Sequence, residues 1–367
     1  MIPAQFYQPV FLYLVIILSF MTAYATSRQS YIGIIRHSHD IIPALILCVG
    51  LAVWIGFRPI SSIYFCDTSN YAEIYRHFQI GVIGQPVYEK GEYLWNYFMY
   101  LSAQSLDVSV FFTIVDILYF GLTLWACKRL MPNNVLIAFL FCLAGLSFFS
   151  YATNGIRNGL ACSFVLLMLT YINGNIIDKV IAVVLAAIAF HIHKSTSLPI
   201  TMAFLSLFIK SFKTAYVFWI LSILISLVAG GTVTAFFAGL GFDSRLSYLQ
   251  NEMTPDAFSR TGFRWDFLIY SLMPIVLGYY VVIKRGIRNR TYEFLLNTYT
   301  LSNAFWVMVI RASFSNRFAY LSWFMYPIVL AYPLLKLDIW GPQQGKRLQQ
   351  IMLAHVGFTW FMQTIYW

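Results

Sequence analysis

Long apolar runs alternate with short polar breaks along almost the whole chain. About 20 apolar residues are needed to cross a bilayer as a helix, so this pattern predicts a series of membrane spans. The first run has no basic region before it and no small-residue cleavage site after it, which favours a span over a removed signal peptide. The predicted spans are residues 6–26, 41–57, 105–126, 134–151, 157–173, 180–193, 196–209, 214–237, 265–283, 291–310, 317–335 and 350–366.

Three of these runs allow another interpretation. The runs at 180–193 and 196–209 are short enough to form one kinked pair or one re-entrant element, and the run at 350–366 alternatively lies on the membrane surface.

Composition supports the same class of protein. Hydrophobic residues make up 60% of the chain and charged residues 10%, and the mean hydropathy is +0.70. We therefore expect an all-α polytopic membrane protein with about ten to twelve transmembrane helices, built as a single transmembrane domain over residues 1–367. The five cysteines lack the short spacing of a metal or redox pair and are predicted to be small core residues.

The basic residues predict the orientation. One set of alternate loops contains most of the 24 Lys and Arg residues, and the positive-inside tendency makes these loops cytoplasmic. They contain Arg28, Arg36, Lys128, Arg129, Lys179, Lys210, Lys213, Lys284, Arg285, Arg288, Arg290, Lys336, Lys346 and Arg347.

The remaining cations belong to the opposite face, several of them at span ends. A cation buried at mid-helix costs roughly 2.5–3.5 kcal/mol, so a cluster of them near the membrane boundary suggests an anionic partner. These residues are Arg58, Arg76, Lys90, Arg157, Lys194, Arg245, Arg260, Arg264, Arg311 and Arg317.

Two longer segments lie on that outer face, at residues 58–104 and 238–264. The first interleaves aromatic residues with four carboxylates, which suits an amphipathic interfacial helix, a carbohydrate surface or an aromatic belt at the lipid headgroups. The second is polar and contains three arginines, which suits either a loop that meets a soluble substrate or a solvated lid.

Several function classes are disfavoured. The chain has no P-loop, GxGxxG or HExxH motif and no metal-ligand spacing, which disfavours nucleotide hydrolysis and metal-assisted proteolysis. Few carboxylates lie within the spans, which disfavours a proton-driven carrier. We expect chemistry on the outer face and no nucleic-acid partner.

Four short motifs carry a resemblance to a known family. They are Asp67-Thr68-Ser69-Asn70-Tyr71, Gly155-Ile156-Arg157-Asn158-Gly159-Leu160-Ala161, Phe190-His191-Ile192-His193-Lys194-Ser195 and Ser315-Asn316-Arg317-Phe318-Ala319-Tyr320. In order and spacing they resemble the EpsG family, which belongs with the Wzy-type polymerases of bacterial surface polysaccharides. The chain departs from the family pattern at two places. Asn158 stands where the family commonly has Gln, and both His191 and His193 are candidates for a single position of the family motif.

The resemblance implies a glycosyltransferase of GT-C-like fold in the bacterial inner membrane, with its active site facing the periplasm. Its donor would be a growing glycan on undecaprenyl pyrophosphate, and its acceptor a single repeat unit on the same carrier. A protein that regulates chain length is a further expected partner, besides membrane lipids. No cofactor or metal is expected, because arginines and a helix N-terminus can stabilise the departing pyrophosphate.

The same resemblance suggests roles for individual residues. Arg157 lies at the outer N-terminus of its span, where free N–H groups also favour an anion, although it is alternatively a lipid-headgroup anchor. Gly155 and Gly159 would let a phosphate approach closely. Substrate contacts are expected from Asn154, Asn158, Tyr71, His191, Lys194, Arg311, Arg317 and Tyr320, and also from Arg245, Arg260 and Arg264, which are alternatively solvated charges.

Four residues are candidate general bases for the acceptor hydroxyl. They are Asp67, Glu252 and His193, with His191 behind them, since each can accept a proton near neutral pH on the outer face. Asp67 alternatively caps the helix that follows it, and a histidine at a span end alternatively serves as hydrogen-bonded structure.

Rival functions remain open at this point. An O-antigen ligase would use the same donor but transfer it to lipid A-core. A lipid-linked oligosaccharide flippase would need charges along a path through the membrane, and a membrane O-acetyltransferase is a further alternative.

Overall fold

The computed structural model describes residues 2–36, 41–88, 92–209, 211–239, 262–312 and 315–366, and every regular element in these ranges is helical. We number the α-helices α1 Tyr7–Thr26, α2 Tyr31–Arg36, α3 Ile41–Gly56, α4 Cys66–Gln79, α5 Tyr93–Ala103, α6 Val108–Leu130, α7 Val135–Leu143, α8 Phe148–Thr153, α9 Ile156–Tyr171, α10 Ile176–Ile192, α11 Ser197–Ser206, α12 Phe212–Gly239, α13 Trp265–Gly278, α14 Arg290–Met308, α15 Asn316–Trp323, α16 Tyr326–Lys336 and α17 Gln344–Phe361.

Several helices are suited to a bilayer by length and composition. Within the described ranges, five stretches are long and apolar enough to cross a membrane: Ala4–Thr26, Val108–Leu130, Phe212–Val233, Trp265–Lys284 and Asn316–Lys336. The shorter helices α3 and α9 are also apolar. The predicted class, an all-α polytopic membrane protein, is confirmed, while the number of crossings stays a prediction.

The helices form two compact units. Unit 1 comprises Met1–Thr196 and Leu334–Trp367, and unit 2 comprises Ser197–Pro333. The single transmembrane domain over residues 1–367 stays a prediction.

In unit 1, α6 packs against both α3 and α9. A Cβ atom at Gly56, the last residue of α3, would lie 2.4 Å from the Cα of Thr113 in α6. Only glycine allows the two backbones to approach this closely, because a Cβ atom essentially never lies so near a non-bonded atom.

The predicted span at 134–151 is broken into two helices. Helix α7 ends at Leu143 and α8 begins at Phe148, which frees backbone carbonyls that a bilayer cannot hydrate. Three side chains four residues apart at the C-terminus contact these carbonyls: His355 Nε2 lies 3.0 Å from Phe141 O, Thr359 donates to Ala144 O at 2.8 Å and Gln363 donates to Leu146 O at 3.4 Å. A second predicted span, 317–335, is likewise interrupted between α15 and α16.

A buried arginine joins the start of α4 to α6 and α8. The Arg58 guanidinium donates to Asp116 at 3.0 Å, to Thr68 Oγ1 at 3.0 Å and to the carbonyl oxygen of Thr153 at 3.3 Å. Thr68 also donates to that carbonyl. The charge pattern places Arg58 among the outer-face cations whose clustering suggests an anionic partner. In the structure Arg58 pairs with Asp116 instead, and both side chains are buried within the protein.

Loops that the charge pattern groups as cytoplasmic meet at one end of unit 1. Tyr31 donates to the Lys336 carbonyl at 2.9 Å, and Arg129 lies 3.5 Å from Asp178. Asn133 donates to the Ile35 carbonyl at 2.7 Å. These contacts agree with the alternation of sides along the chain, while the assignment of this end to the cytoplasm stays a prediction.

Unit 2 is built around α14, which packs against α11 and α12. Its interior contains polar side chains paired with one another. Trp219 donates to Asn303 at 2.8 Å, and Asn303 donates to Ser322 at 3.0 Å. Such pairing is expected inside a membrane domain, because an unpaired polar group there is costly.

Candidate active site

Three helix ends of unit 1 meet around one carboxylate. Glu92 is the residue before α5, Arg157 is the second residue of α9, and His193 directly follows α10. Glu92 Oε2 forms an ion pair with Arg157 Nη1, and Glu92 Oε1 lies 2.8 Å from His193 Nδ1. We call Glu92, Arg157 and His193 the Glu92 cluster.

The local structure explains why these side chains converge. Glu92 forms no side-chain cap on α5, so its carboxylate is free to reach the other two helix ends. His193 is in an extended conformation that ends α10, and the backbone N–H of the next residue, Lys194, donates to Glu92 Oε1 at 3.1 Å. The carboxylate therefore accepts from two side chains and one backbone group.

The Glu92 cluster is largely buried but remains partly exposed to solvent. The side chain of His193 is 4% exposed, that of Glu92 14% and that of Arg157 27%. Arg157 Nε is buried without a hydrogen-bond partner among the described residues. A guanidinium has five N–H donors, so Arg157 keeps donor capacity beyond its contact with Glu92.

The surroundings keep Glu92 ionised. Burial alone would raise its pKa, but the hydrogen bond and charge of His193, the charge of Arg157 and the backbone N–H of Lys194 outweigh burial and lower the pKa from 4.5 to about 2. The carboxylate is therefore a permanent anion near neutral pH.

This shift predicts how stability depends on pH. Because the pKa of Glu92 is lower in the folded state than in the unfolded state, its stabilisation is complete above about pH 4.5 and is lost as the pH falls towards about 2. The shift corresponds to on the order of 3 kcal/mol. In detergent, the wild type should lose more thermal stability between about pH 5 and about pH 3 than Glu92→Gln, in which this group no longer titrates.

The control is Glu73→Gln, which removes an exposed carboxylate of α4. This variant should keep the pH dependence of the wild type. Equal losses of melting temperature in the wild type and in Glu92→Gln would contradict the assignment of this pH dependence to Glu92.

The contact with Glu92 determines the tautomer of His193. An ionised carboxylate only accepts, so Nδ1 must carry the proton at this 2.8 Å contact. The N–H and the hydroxyl of Ser195 lie 3.3 and 3.2 Å from the same nitrogen. A nitrogen that donates cannot also accept from Ser195, and we assign the proton from the shorter contact. In the neutral ring the lone pair then lies on Nε2.

Residues predicted near Arg157 have varied surroundings. Asn158 faces the core, where it donates to the Tyr151 hydroxyl at 3.3 Å. Asn154 Oδ1 is buried without a partner among the described residues. A Cβ atom at Gly159 would lie 2.8 Å from Tyr151 O, so this glycine allows α8 and α9 to pack closely.

The other predicted residues of unit 1 lie around the cluster or on α4. His191 contacts the ring of Tyr88, with 6.0 Å between ring centroids, and the side chain of Lys194 is exposed. Tyr71 packs edge-on against Trp95 at 5.4 Å. Asp67 lies in the first turn of α4 and makes no cap, whereas its neighbour Thr68 bonds to Arg58.

In unit 2, two of the predicted arginines bind partners within the protein. Arg264 forms a two-bond pair with Asp266, at 2.9 and 2.5 Å, and stacks over Phe267. Arg311 donates to the Ser226 carbonyl at 3.2 Å and lies over Phe263. Arg317 is the second residue of α15, and Tyr320 packs against Trp323. Glu252, Arg245 and Arg260 lie outside the described residues.

The sequence does not identify Glu92 as a site residue. It is one of four carboxylates in the segment 58–104, and nothing in its neighbourhood distinguishes it from the others. A weak signal was its position directly before the helix-forming run at Tyr93, where a carboxylate often caps the helix.

The fold and the cluster define the class: an all-α polytopic membrane protein with an arginine, a carboxylate and a histidine joined where three helices end. The profile of the EpsG family matches residues 41–342, and the chain belongs to that family. It is accordingly a polysaccharide polymerase-like, glycosyltransferase-like membrane protein. No curated protein and no solved structure matches the chain.

Proposed function

We propose that this protein joins oligosaccharide repeat units carried on undecaprenyl pyrophosphate, at the periplasmic face of a bacterial inner membrane. The growing glycan would be the donor, and a hydroxyl of the next lipid-linked repeat unit the acceptor. The observation that carries the proposal is the Glu92 cluster, because it combines a cation suited to a pyrophosphate with a histidine oriented by a carboxylate. Family membership supports the class of reaction.

Arg157 would stabilise the leaving group. As the acceptor oxygen bonds to the anomeric carbon, the bond from that carbon to the pyrophosphate breaks, and its electron pair leaves with the pyrophosphate. A guanidinium binds phosphate oxygens through parallel N–H groups, and the positive end of the α9 helix dipole also favours an anion at this position. Glu92 would hold Arg157 in place by binding one Nη atom.

His193 is the base that the geometry favours among the four candidates. Its Nδ1 proton is held by Glu92, so Nε2 would accept the proton of the acceptor hydroxyl and Glu92 would stabilise the imidazolium that forms. Asp67 lies in the first turn of α4, where no described residue pairs with its carboxylate, and His191 contacts aromatic rings. Glu252 stays a candidate from sequence alone.

In this proposal the positive charge of Arg157, rather than a metal ion, stabilises the leaving pyrophosphate. Turnover is therefore expected to persist in EDTA. Substrate contacts from Arg264, Arg311, Arg317 and Tyr320 of unit 2, and interaction with a chain-length regulator, are further parts of the proposal.

An acceptor experiment separates the polymerase from its rivals. Purified protein is given lipid-linked repeat units alone, and in parallel with lipid A-core. We expect polymers that differ by one repeat unit without lipid A-core. Strict dependence on lipid A-core would indicate a ligase instead, and translocation in liposomes without new glycosidic bonds would indicate a flippase.

A further inference from the structure

Four tyrosines form a row of touching rings that begins at the Glu92 cluster. The ring centroids of Tyr88 and Tyr93 are 5.4 Å apart, those of Tyr93 and Tyr97 5.4 Å, and those of Tyr97 and Tyr100 6.4 Å. Residues 93, 97 and 100 are spaced by four and three positions, which places them along one face of α5. We call these four residues the tyrosine row.

The row is continuous with the candidate active site at one end. Tyr93 directly follows Glu92 in the chain, and the ring of Tyr88 contacts His191, two residues before His193. A molecule lying along α5 would therefore reach the Glu92 cluster without leaving the aromatic surface.

The row is accessible, whereas the opposite face of α5 forms the core. Tyr88 is 65% exposed and the other three rings are partly exposed, but Trp95 and Met99 are buried. No described residue hydrogen-bonds to the hydroxyl of Tyr93, Tyr97 or Tyr100. By contrast, the buried Tyr75 donates to the Leu106 carbonyl at 2.9 Å.

Exposed rings with available hydroxyls match the chemistry of a glycan. The C–H face of a sugar ring packs on an aromatic ring, while phenol groups hydrogen-bond to sugar hydroxyls, and tyrosine supplies both at low conformational cost. We propose that the tyrosine row binds the sugar residues of the repeat unit next to the reacting group. This inference rests on the proposed function, since it assigns a glycan subsite to the same active site.

The test measures binding of a glycan that cannot react. The probe is the free oligosaccharide released by mild acid from the lipid-linked repeat unit of the source cells, titrated into full-length protein in nanodiscs. Tyr93→Ala combined with Tyr97→Ala should weaken binding about tenfold or more. The corresponding double Phe variant keeps the rings and should lose less.

Tyr64→Ala is the matched control, because Tyr64 is also exposed in segment 58–104 but lies outside the row. It should leave affinity unchanged. Unchanged affinity in the double Ala variant, or equal losses in that variant and in Tyr64→Ala, would overturn the inference and favour a role of the row at lipid headgroups. No binding of the free oligosaccharide by wild-type protein would also overturn it.

Failure of the glycan-subsite inference is distinguishable from failure of the proposed function. If the wild type forms polymer but the double Ala variant binds the free oligosaccharide normally, only the subsite is wrong. If the wild type binds the oligosaccharide through the row but forms no polymer from lipid-linked units, the subsite stands and the polymerase proposal fails.

Discussion

Cells that carry Arg157→Ala should contain single repeat units in place of long-chain glycan, with the protein still inserted in the membrane. In the proposed mechanism, loss of the guanidinium removes the cation that would face the departing pyrophosphate, and we expect turnover to fall by about 10²–10³-fold, as for removal of one preorganised donor. Arg157→Lys keeps the charge without the planar fork and should be intermediate. Chain length is read from the glycan ladder on a gel.

Arg76→Ala is the control for this substitution. Arg76 is an exposed arginine at the end of α4, in the same outer segment, and it makes no contact with the Glu92 cluster in the structure. This variant should give a wild-type ladder. A normal ladder from Arg157→Ala at normal protein levels would remove Arg157 from the mechanism.

Glu92→Gln should be the second variant of large effect. The amide keeps the size of the side chain but loses the charge that holds Arg157 and stabilises protonated His193. If His193 is the general base, we expect the loss in turnover to fall between about 10² and 10⁴-fold. Glu73→Gln removes an exposed carboxylate and should have no effect on turnover.

A double-mutant cycle separates a catalytic unit from general damage to the fold. Because Glu92 acts both on His193 and on Arg157, adding Glu92→Gln to His193→Ala should cost less turnover than Glu92→Gln costs in the wild type, since the part of its effect that passes through His193 is already lost. Fully additive losses would mean that the two side chains act independently. Melting temperatures of the single variants in detergent identify any variant whose loss reflects unfolding.

Much of the fold was predictable because apolar runs of helical length leave few alternatives in a membrane. The breaks within the predicted spans were not predictable from the sequence. The run at 134–151 is uninterrupted in hydropathy, and its break is tolerated because His355, Thr359 and Gln363, more than 200 positions away, contact the freed carbonyls. No local pattern reports such distant partners.

Part of the candidate site was predictable from the ends of the predicted spans. Arg157 and His193 were found because each lies at the end of a predicted span, where charged and polar groups are unusual. Glu92 was missed because its role depends on which helix ends meet, and that is a property of packing. Arg58 was assigned to the outer charges, since only the folded chain brings Asp116 of α6 within 3.0 Å of it.

The central claim is that the Glu92 cluster releases polyprenyl pyrophosphate as a glycosidic bond forms. The most direct measurement counts both products formed by purified protein in nanodiscs from lipid-linked repeat units. We predict one released undecaprenyl pyrophosphate for each new glycosidic bond in the wild type and in Arg76→Ala, and neither product above background in folded Arg157→Ala. Release and bond formation at wild-type rates in folded Arg157→Ala, or no release by the wild type, would contradict the account.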